Sequence, residues 1–570
     1  MPESEKKWLI APRITPQADQ ELHGFPPTLR QILFNRGYAT HESARQYLKA
    51  EKPPNTNPDI LLGMPQAVER IRQAIKRNEL IAVYGDYDVD GVTATALLGT
   101  FLKSLNAQVI EYIPNRFDEG YGLNKDALDS LKDSGVNLVI TVDCGIRSLE
   151  EVDYARQIGL DIIISDHHHP GEELPQALAI IDPKQPEDPY PEKDLAGVGL
   201  AFKIAEALTG TVEEKNIFLQ DYLDFVALGT IADLAPLIGE NRYLVREGLK
   251  KIRQPQRQGL LSLIGVAGLT ANQITATDIG FTLGPRLNAA GRLDSALAAL
   301  ELLTTDDLQK AGHLAQLLEI KNRERQKITR EIQAKAEELA IKEDPEALLM
   351  FAVHPEFNSG VVGLAASRLT DLYYRPAIVG QIGEEFTRAS CRSIAEFHIT
   401  KALDQCADLL EYHGGHAAAA GFTVRNENLY DLKDRLKIIA AEQLSGMDLR
   451  PTISADAEIY LADLKYELLE QLEWMQPTGY GNPRPIFVTR DVKVINSRTV
   501  GSENTHLKLT VSDGWLSFDA IAFRLGHWIQ KMPKRIDLMY AFESNEYRGQ
   551  STLQLNVRDL RPAGENLSKT

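Results

Sequence analysis

Between residues 80 and 240, short apolar runs alternate with longer segments in which apolar residues recur at helical spacing. The runs LIAVY (80–84), LVITV (138–142) and IIIS (162–165) are rich in β-branched residues, which is typical of buried strands. Buried strands that alternate with helices form a parallel sheet covered by helices on both faces. This pattern therefore predicts a doubly wound α/β domain.

Two different patterns follow this domain. Residues 304–343 begin with the helix-start signal TTDD and contain no proline before Pro345, which predicts a single helix about 55 Å long at about 1.5 Å per residue. Residues 345–447 contain the strand-like runs ALLMFAV and RPAIVG, which predict a second, smaller α/β domain. We expect the long helix to connect the two α/β domains.

After residue 452 the hydrophobic period becomes two. The segments HLKLTV, FDAIAF, IDLMYAFE and TLQLNV alternate apolar and polar residues, and PIFVTRDVKV adds another strand. Several short antiparallel strands of this kind predict a small β-barrel similar to the OB-fold. We expect four regions: 1–303, an N-terminal helical segment with the first α/β domain; 304–344, the long helix; 345–447, the second α/β domain; and 448–570, the barrel and a tail.

The composition narrows the class of protein. The 570 residues are 43% apolar and 25% charged, which is ordinary for a globular protein, and no apolar run reaches the roughly 20 residues of a membrane span. The three cysteines are far apart and form no CxxC pair, and the start MPESEKKW lacks an apolar signal core. We therefore expect a cytoplasmic protein without disulfides, a zinc site or a membrane partner. The net charge of −18 argues against a polyanionic partner unless bound cations offset it.

Acidic clusters follow directly after the three predicted strands of the first domain: GDYDVDG (85–91), VDCG (142–145) and SDHHHP (165–170). Ligands of parallel sheets collect at the carboxyl ends of the strands, so these clusters are expected to converge on one crevice. Because Asp88 and Asp90 are two residues apart, an extended backbone would point both side chains the same way. The converging set comprises Asp86, Asp88, Asp90, Asp143, Asp166, His167 and His168.

So many carboxylates cannot stay ionised side by side without a cation. Asp233, in the apolar segment FVALGTIADLAPL, is a further candidate ligand. An oxygen-rich site with one imidazole suits Mn²⁺ or Mg²⁺ better than zinc, and two such ions can activate water and stabilise charge on a phosphoryl group. The alternative is a solvated acidic loop with surface histidines, but the agreement of three strand ends favours the metal site.

The ordered motifs resemble a known family. GDYDVDG, VDCG, SDHH and ALGTIADLAPL are similar to the motifs of the DHH phosphoesterase superfamily, and GGHAAAAGF (414–422) resembles its DHHA1 domain. IPNRFDEGYGL, LAGVGLAFK, GPRLNAAGRLDSA, SCRSI and PTGYGNPRPIF extend the resemblance, over nearly the whole chain, to the bacterial exonucleases specific for single-stranded DNA.

The resemblance implies a metal-dependent 5′-to-3′ exonuclease that hydrolyses single-stranded DNA to 5′-mononucleotides in recombination and repair. It implies two divalent cations, Mn²⁺ or Mg²⁺, held by Asp88, Asp90, Asp143, His167 and Asp233. His168 would contact the scissile phosphate, and Asp166 and Asp86 are further candidate catalytic residues, with Asp86 also a candidate outer ligand. Implied partners are single-stranded DNA with a 5′ end, a single-strand-binding protein and a helicase.

The resemblance also implies a nucleic-acid-binding set. Arg116, Ser390 and Arg392 would grip the 5′-terminal phosphate, while Gly415 and His416 would belong to the nucleotide-binding face of the second domain. Arg286 and Arg292 could contact the DNA backbone, or could instead pin the long helix to the sheet. His169 lies beyond the minimal motif and receives no role.

Two alternative functions are open at this point. One is a DHH phosphodiesterase for short oligoribonucleotides, cyclic dinucleotides or pyrophosphate, which would have little use for the long helix and the barrel. The other is a non-catalytic scaffold in a replication complex, which would be expected to have lost motif carboxylates that are all present here. In the barrel, Trp515, Phe518, Phe523 and Trp528 could stack on bases, although aromatic residues of small barrels more often belong to the core.

Overall fold

The computed structural model describes residues 5–115, 119–120, 122–209, 219–547 and 550–564. The chain begins with strand β1 (Lys7–Ile10) and three short helices: α1 (Pro16–Glu21), α2 (Pro27–Asn35) and α3 (His41–Lys49). In the described residues, no helix combines the length and the apolar character that a membrane crossing requires.

The first α/β domain is built on a five-stranded, all-parallel sheet of order β3-β2-β4-β5-β6. Its strands are β2 (Leu80–Gly85), β3 (Gln108–Tyr112), β4 (Val136–Val142), β5 (Asp161–Ser165) and β6 (Ala179–Ile181). Helices α4 (Met64–Arg77), α5 (Val89–Ser104), α6 (Lys125–Asp133), α7 (Leu149–Gln157) and α8 (Gly197–Leu208) accompany it. The predicted doubly wound domain is confirmed.

A helical layer completes this domain. It comprises α9 (Leu223–Ala232), α10 (Gly239–Ile252), α11 (Gln258–Val266), α12 (Ala276–Asp278), α13 (Gly284–Leu293) and α14 (Leu297–Thr304). Helix α5 is buried along almost its whole length because α8, α9 and α14 pack around it. One apolar core contains buried residues of α4, α5 and each helix from α8 to α14. Helices α6 and α7 do not contribute to it.

The long helix is α15 (Leu308–Glu343), with 36 residues, about 54 Å at about 1.5 Å per residue. Asp307, the last residue of TTDD, caps it: Oδ1 accepts hydrogen bonds from Gln309 N and Lys310 N. Helices α11 and α13 pack against it from the first domain, and the second α/β domain contacts it from the other side. The predicted connecting helix is confirmed.

The second α/β domain has a five-stranded sheet of order β10-β11-β9-β8-β7. Its strands are β7 (Met350–His354), β8 (Ala377–Ile382), β9 (Phe386–Arg392), β10 (Leu410–Gly415) and β11 (Ala419–Arg425). Only the β7–β8 pair is parallel. Helices α16 (Val362–Tyr373), α17 (Ile399–Asp404) and α18 (Leu429–Leu444) complete the domain.

The C-terminal part is a closed barrel. Strand β12 (Thr452–Ala455) precedes β13 (Ala457–Glu458), helix α19 (Tyr466–Glu473), β14 (Phe487–Val500), β15 (His506–Ser512), β16 (Ser517–Ala522), β17 (Arg535–Tyr547) and β18 (Gln550–Pro562). The strand order is β13-β14-β15-β16-β18-β17, and a further pairing between β14 and β17 closes the sheet on itself. The predicted barrel is confirmed.

The N-terminal helices pack with this barrel. Leu22, Leu29 and Ile32 are fully buried in one apolar core together with Phe487 and Leu555 of the barrel. Strand β1 also pairs in parallel with β12. We expected residues 1–79 to belong with the first α/β domain, and α4 does pack there, but the apolar faces of α2 and α3 are buried against the barrel at the far end of the chain. Amphipathic helices indicate that a face is buried, not which partner covers it.

The side chain of Arg242 on α10 joins three parts of the chain. It is 2% exposed, and its guanidinium donates hydrogen bonds to the carbonyl oxygens of Tyr47, Met475 and Pro477. The segment PTGYGNPRPIF (477–487) therefore lies at the junction between the barrel, the N-terminal helices and the first domain.

This shared core leads to a prediction about shortened chains. A chain that ends at Gly446 should be cleaved by trypsin within residues 5–50, because its N-terminal helices lose the barrel that buries their leucines. A chain of residues 58–446 lacks both halves of that core and should resist trypsin for longer. Equal resistance of residues 5–50 with and without the barrel, measured by mass spectrometry of the fragments, would contradict the shared core.

Candidate active site

The first acidic cluster turns the chain from strand β2 into helix α5. Asp88 is the N-cap of α5, and its Oδ1 accepts hydrogen bonds from Asp90 N at 2.8 Å and Gly91 N at 3.1 Å. Our expectation of an extended backbone here is wrong, since Asp90 already lies in the first helical turn. Gly91 is required for close approach, because a Cβ there would lie 2.5 Å from the backbone of Asp86.

Asp90 is buried beneath this turn. Its Oδ2 accepts a hydrogen bond from Gly197 N at 2.6 Å, and its Oδ1 accepts one from Val198 N at 2.8 Å. Burial, and then the nearby charge of Asp88, raise the pKa of Asp90 to about 7, although the two N–H donors act to lower it. A bound cation would therefore stabilise the ionised form of Asp90.

Asp143 follows strand β4 with φ 65°, a left-handed conformation that aspartate tolerates. Its N–H donates to Ser165 O at 3.0 Å, which ties the ends of β4 and β5 together. Burial, then Asp90 and the other acids, raise the pKa of Asp143 well above its usual range. The strand-end prediction therefore holds for Asp143: it lies buried among like charges.

His167 brings these acids together. Its Nε2 lies 3.0 Å from Asp143 Oδ1, 3.9 Å from Asp90 Oδ2 and 3.8 Å from Asp233 Oδ2. Burial, followed by the charge of His168, lowers the pKa of His167 to about 3, so the imidazole is neutral and these contacts are not ion pairs. A neutral imidazole has one nitrogen lone pair that can bind a metal.

Asp233 reaches the cluster from a helix rather than from a strand. It is the C-terminal cap of α9, and burial followed by Asp90 and Asp88 raises its pKa to about 8. The tertiary fold therefore brings Asp233 to the cluster formed by Asp88, Asp90, Asp143 and His167.

The donor atoms form three overlapping groups within 4.8 Å: Asp143, His167 and His168; Asp90, His167 and Asp233; and Asp86, Asp88 and Asp143. Several carboxylates with raised pKa values and one neutral imidazole fit an oxygen-preferring divalent cation. The buried donor set is thus compatible with Mn²⁺ or Mg²⁺.

Asp166 holds His168 in place. Asp166 Oδ1 lies 2.7 Å from His168 Nδ1 and accepts hydrogen bonds from the backbone N–H groups of His167 and His168, while Oδ2 accepts one from Ile146 N. Burial alone would lower the pKa of His168, but the hydrogen bond and charge of Asp166, together with the charges of Asp233 and Asp88, raise it to about 9. His168 is therefore an imidazolium ion near neutral pH. Asp166, whose oxygens are occupied, is placed to orient it.

Ser390 and Arg392 lie two residues apart on β9, so their side chains share one face of the second sheet. A Cβ added to Gly363, at the start of α16, would lie 3.2 Å from Arg392 Nη2 and 3.4 Å from Ser390 Oγ. Both side chains thus face the N-terminal turn of α16, which favours anions. Among the described residues, no carboxylate pairs with Arg392, and burial lowers its pKa. Arg116, the third predicted phosphate contact, lies outside the described residues.

The β10–β11 hairpin faces the first domain. Gly415 has φ 142°, and a Cβ there would lie 2.4 Å from Ala419 O, so the tight turn requires glycine. The ring of His416 lies 6.1 Å from that of His169, across the cleft between the two domains. Burial, then His169 and Arg147, lower the pKa of His416. His169, which had no role from the sequence, therefore lies at the mouth of the site opposite His416.

Arg286 and Arg292 both contact other parts of the protein. Arg286 Nε forms a 2.7 Å ion pair with Glu319 Oε2 on α15, and Arg292 Nη1 donates to Gly360 O at 3.2 Å. The ion pair of Arg286 favours the second interpretation, in which the arginines pin the long helix, whereas the contact of Arg292 is to the second domain. Contact with DNA stays a prediction for both.

Sequence reasoning missed a fourth strand end. Asp182 directly follows β6, is fully buried, and accepts a hydrogen bond from Lys184 N at 2.7 Å. Burial raises the pKa of Asp182 to about 7. Lys184 forms no ion pair among the described residues, and its charge acts on His167 and Asp233. The signal was present in the sequence, since DPK follows the apolar run AII (179–181).

The barrel aromatics divide into two pairs. Phe518 and Trp528 pack against the barrel core, as expected for most aromatics of a small barrel. Trp515 is 95% exposed, and Phe523 is also exposed. Only the second pair is accessible for stacking.

Comparisons with known proteins agree with this architecture. Residues 80–230 match the DHH family N-terminal domain, residues 346–442 the DHHA1 domain and residues 455–559 the RecJ OB domain. The single-stranded-DNA-specific exonuclease RecJ of Bacillus subtilis is 39% identical over 95% of this chain and 68% of its own length.

Two solved structures extend the likeness to the whole fold. RecJ of Thermus thermophilus in complex with Mn²⁺ aligns with a TM-score of 0.84 at 29% identity, covering 97% of this chain and 79% of that one. The same protein in complex with Mg²⁺ aligns with a TM-score of 0.79 at 28% identity, covering 97% and 78%. The resemblance predicted from the motifs is confirmed. With its DHH, DHHA1 and OB domains in this order, the chain belongs to the RecJ family of single-stranded-DNA-specific exonucleases.

Proposed function

We propose that this chain is a metal-dependent exonuclease that degrades single-stranded DNA from the 5′ end and releases 5′-mononucleotides. The observation that carries the proposal is the buried cluster of acids around His167, which opens toward His416 of the second domain across one cleft. Such a cluster is suited to phosphodiester hydrolysis, and a strand bound between the two domains would lie beside it. Family membership supports single-stranded DNA as the substrate.

The residues that would hold the cations are Asp88, Asp90, Asp143, His167 and Asp233, with Asp86 beside them. When bound, two divalent cations, Mn²⁺ or Mg²⁺, supply an activated water and neutralise charge on the phosphoryl group. The complexes of the Thermus relative with these ions support this cofactor assignment. The chain itself contributes a largely buried set of oxygen and nitrogen ligands.

His168 has a different role. Its imidazolium, held by Asp166, presents a positive charge and an N–H donor at the edge of the acid cluster. We assign it to a non-bridging oxygen of the scissile phosphate, where a preformed positive charge stabilises the charge that develops in the transition state.

The 5′-to-3′ direction rests on the second domain. Ser390, Arg392 and the first turn of α16 form an anion-binding surface, and Arg116 would add a second guanidinium. If a 5′-terminal phosphate is held there while the metal cluster cleaves the adjacent phosphodiester, mononucleotides are released from the 5′ end. Gly415 and His416 would contact the terminal nucleotide.

The barrel, with Trp515 and Phe523 exposed, would guide the strand toward the cleft. We propose the domain bounds 1–303, 304–344, 345–447 and 448–570, with the N-terminal helices packed on the barrel. A helicase and a single-strand-binding protein would supply the single strand during recombination and repair. We place the protein in the cytoplasm, since its three buried free cysteines are compatible with reducing conditions.

The test is a time course on single-stranded DNA with Mn²⁺, with and without EDTA. A 5′ label should appear at once in mononucleotides, whereas a 3′ label should stay on progressively shorter strands. EDTA should stop the hydrolysis of both the 5′-labelled and the 3′-labelled strands. Release of the 3′ label first, or equal rates in EDTA, would contradict the proposal. An equal rate on a dinucleotide or on RNA would favour the alternative phosphodiesterase, and the absence of hydrolysis would favour the scaffold.

Loss of the Asp166 carboxylate should slow hydrolysis without removing a proposed cation ligand. Asp166→Ala leaves His168 without its partner and three backbone N–H groups without an acceptor. Groups that orient an active site in this way typically contribute about 10–100-fold, so kcat should fall by about that factor at saturating Mn²⁺.

Asp188 provides the matched control. It is another buried aspartate of the same domain, and it accepts hydrogen bonds from Leu62 N and Tyr190 N, away from the acid cluster. Asp188→Ala should lower the melting temperature but leave kcat of the folded protein unchanged. A kcat for Asp166→Ala within twofold of the wild type would remove Asp166 from the mechanism.

A further inference from the structure

Two consecutive backbone N–H groups hold the carboxylate of Asp90. Gly197 N donates to Oδ2 and Val198 N donates to Oδ1, so that each oxygen accepts one bond. This fork sets the plane of the carboxylate and leaves lone pairs on both oxygens for a ligand in the crevice. Asp90 is 1% exposed, so water does not compete for these bonds.

Gly197 also touches a second acid. A Cβ added there would lie 2.7 Å from the Cβ of Asp143 and 3.1 Å from its Cγ. A side chain at this position must therefore displace Asp143. Gly197 thus donates to one proposed ligand and lies in contact with another.

The requirement for glycine is local. Gly199 lies two residues further along the same helix, and its added Cβ would meet only Leu195, at an ordinary contact distance of 3.5 Å. On the other side of Asp90, a Cβ at Gly229 of α9 would lie 2.3 Å from Thr93 Oγ1 and 2.7 Å from Asp90 Oδ1. Within α8, the close contact with an acid is therefore made by Gly197 and not by Gly199.

The position in the fold strengthens this contact. Gly197 and Val198 are the first two residues of the 12-residue helix α8, where N–H groups have no partner within the helix. The positive end of the helix dipole also points at Asp90, which lies among Asp88, Asp143 and Asp233. These features stabilise an ionised carboxylate in an acidic cluster.

We propose that Gly197 and Val198 act as a positioning element that holds Asp90 and Asp143 in the arrangement that binds a divalent cation, and so set the affinity of the protein for Mn²⁺. The inference rests on the metal-dependent function proposed above. It gives the motif LAGVGLAFK a role: its first glycine and the following N–H hold the cation ligands without touching the cation or the DNA.

The experiment compares four full-length, metal-free proteins: the wild type, Gly197→Ala, Val198→Pro and Gly199→Ala. Mn²⁺ binding is measured by calorimetry and by the electron paramagnetic resonance signal of free Mn²⁺. Val198→Pro removes one donor, and proline is tolerated in the first helical turn. Circular dichroism and thermal unfolding monitor the fold.

Gly197→Ala and Val198→Pro should each weaken Mn²⁺ binding by about tenfold or more, as loss of orienting contacts does in other metal sites. Their activity on single-stranded DNA should recover in part at high Mn²⁺, which a general packing defect would not permit. Gly199→Ala should keep its Mn²⁺ affinity within twofold of the wild type.

Three outcomes would overturn the inference. The first is wild-type Mn²⁺ affinity in both folded variants at positions 197 and 198. The second is an equal loss in Gly199→Ala, which would indicate helix packing alone. The third is failure of both variants to fold, which would assign the segment to the fold. Failure of the wild type itself to bind Mn²⁺ would instead overturn the proposed function, and this inference with it.

Discussion

Replacing Asp143 by alanine should lower the hydrolysis of single-stranded DNA by about a thousandfold or more while the protein stays folded. Asp143 belongs to two of the three donor groups and lies 3.0 Å from His167 Nε2, so its loss would disable the centre of the cluster. Its removal also relieves repulsion with Asp90, so the metal-free protein should not become less stable from charge. Steady-state rates at saturating Mn²⁺ and thermal unfolding measure the two effects.

Two companion variants sharpen this test. Asparagine tolerates φ 65° as aspartate does but carries no charge, so Asp143→Asn removes the carboxylate without straining the backbone. This variant should be as inactive as Asp143→Ala. Asp161→Asn lies at the start of β5, at the opposite end of the same sheet, and loses only a half-exposed ion pair with Arg70. It should keep full activity. Near-normal turnover by Asp143→Asn would refute the ligand assignment.

Arg392→Ala should impair the enzyme most on strands that carry a 5′ phosphate. Arg392 faces the N-terminal turn of α16 beside Ser390, and a charge-assisted contact from it to phosphate contributes about 1.5–3 kcal/mol. The loss in kcat/KM should therefore be about tenfold or more on 5′-phosphorylated DNA and smaller on 5′-hydroxyl DNA. Parallel assays on the two substrates measure the difference.

Arg425 on β11 is the control for this prediction. Its guanidinium is already engaged by Glu411 at 2.7 Å in the same sheet, so Arg425→Ala should change neither substrate's rate by more than about twofold. Equal losses on both substrates in Arg392→Ala would mean that Arg392 supports the fold or the general DNA path. Degradation of a 5′-blocked strand from its 3′ end would refute the proposed direction.

Much of the architecture could be predicted from local patterns. The apolar runs before the acidic clusters are strands β2, β4 and β5, TTDD caps the long helix through Asp307, and the period of two after residue 452 marks the barrel. These features depend on interactions between residues close in sequence, or on a periodicity that one buried face imposes, so a linear pattern contains them.

Most of the candidate site could be predicted for the same reason. Parallel strands bring their carboxyl ends to one edge, and Asp143, His167 and the first acidic cluster do meet there. The local geometry of Asp88 and Asp90 could not be predicted from their spacing, because the choice between strand and helix depends on where the first hydrogen-bonded turn begins. Asp182 could have been found by applying the strand-end argument once more.

Contacts between distant segments were not predictable from patterns. The leucines of the N-terminal helices are buried by the barrel, Arg286 pairs with Glu319 of the long helix, and Gly197 holds Asp90 from 107 residues away. An apolar face or a charge indicates that a partner is needed but does not identify it, since many partners satisfy the same local chemistry. The strands, the long helix and the types of ligand residue therefore follow from residue order. The partners that cover each apolar helix face, and the hydrogen bonds that hold Asp90, depend on how the chain packs in three dimensions.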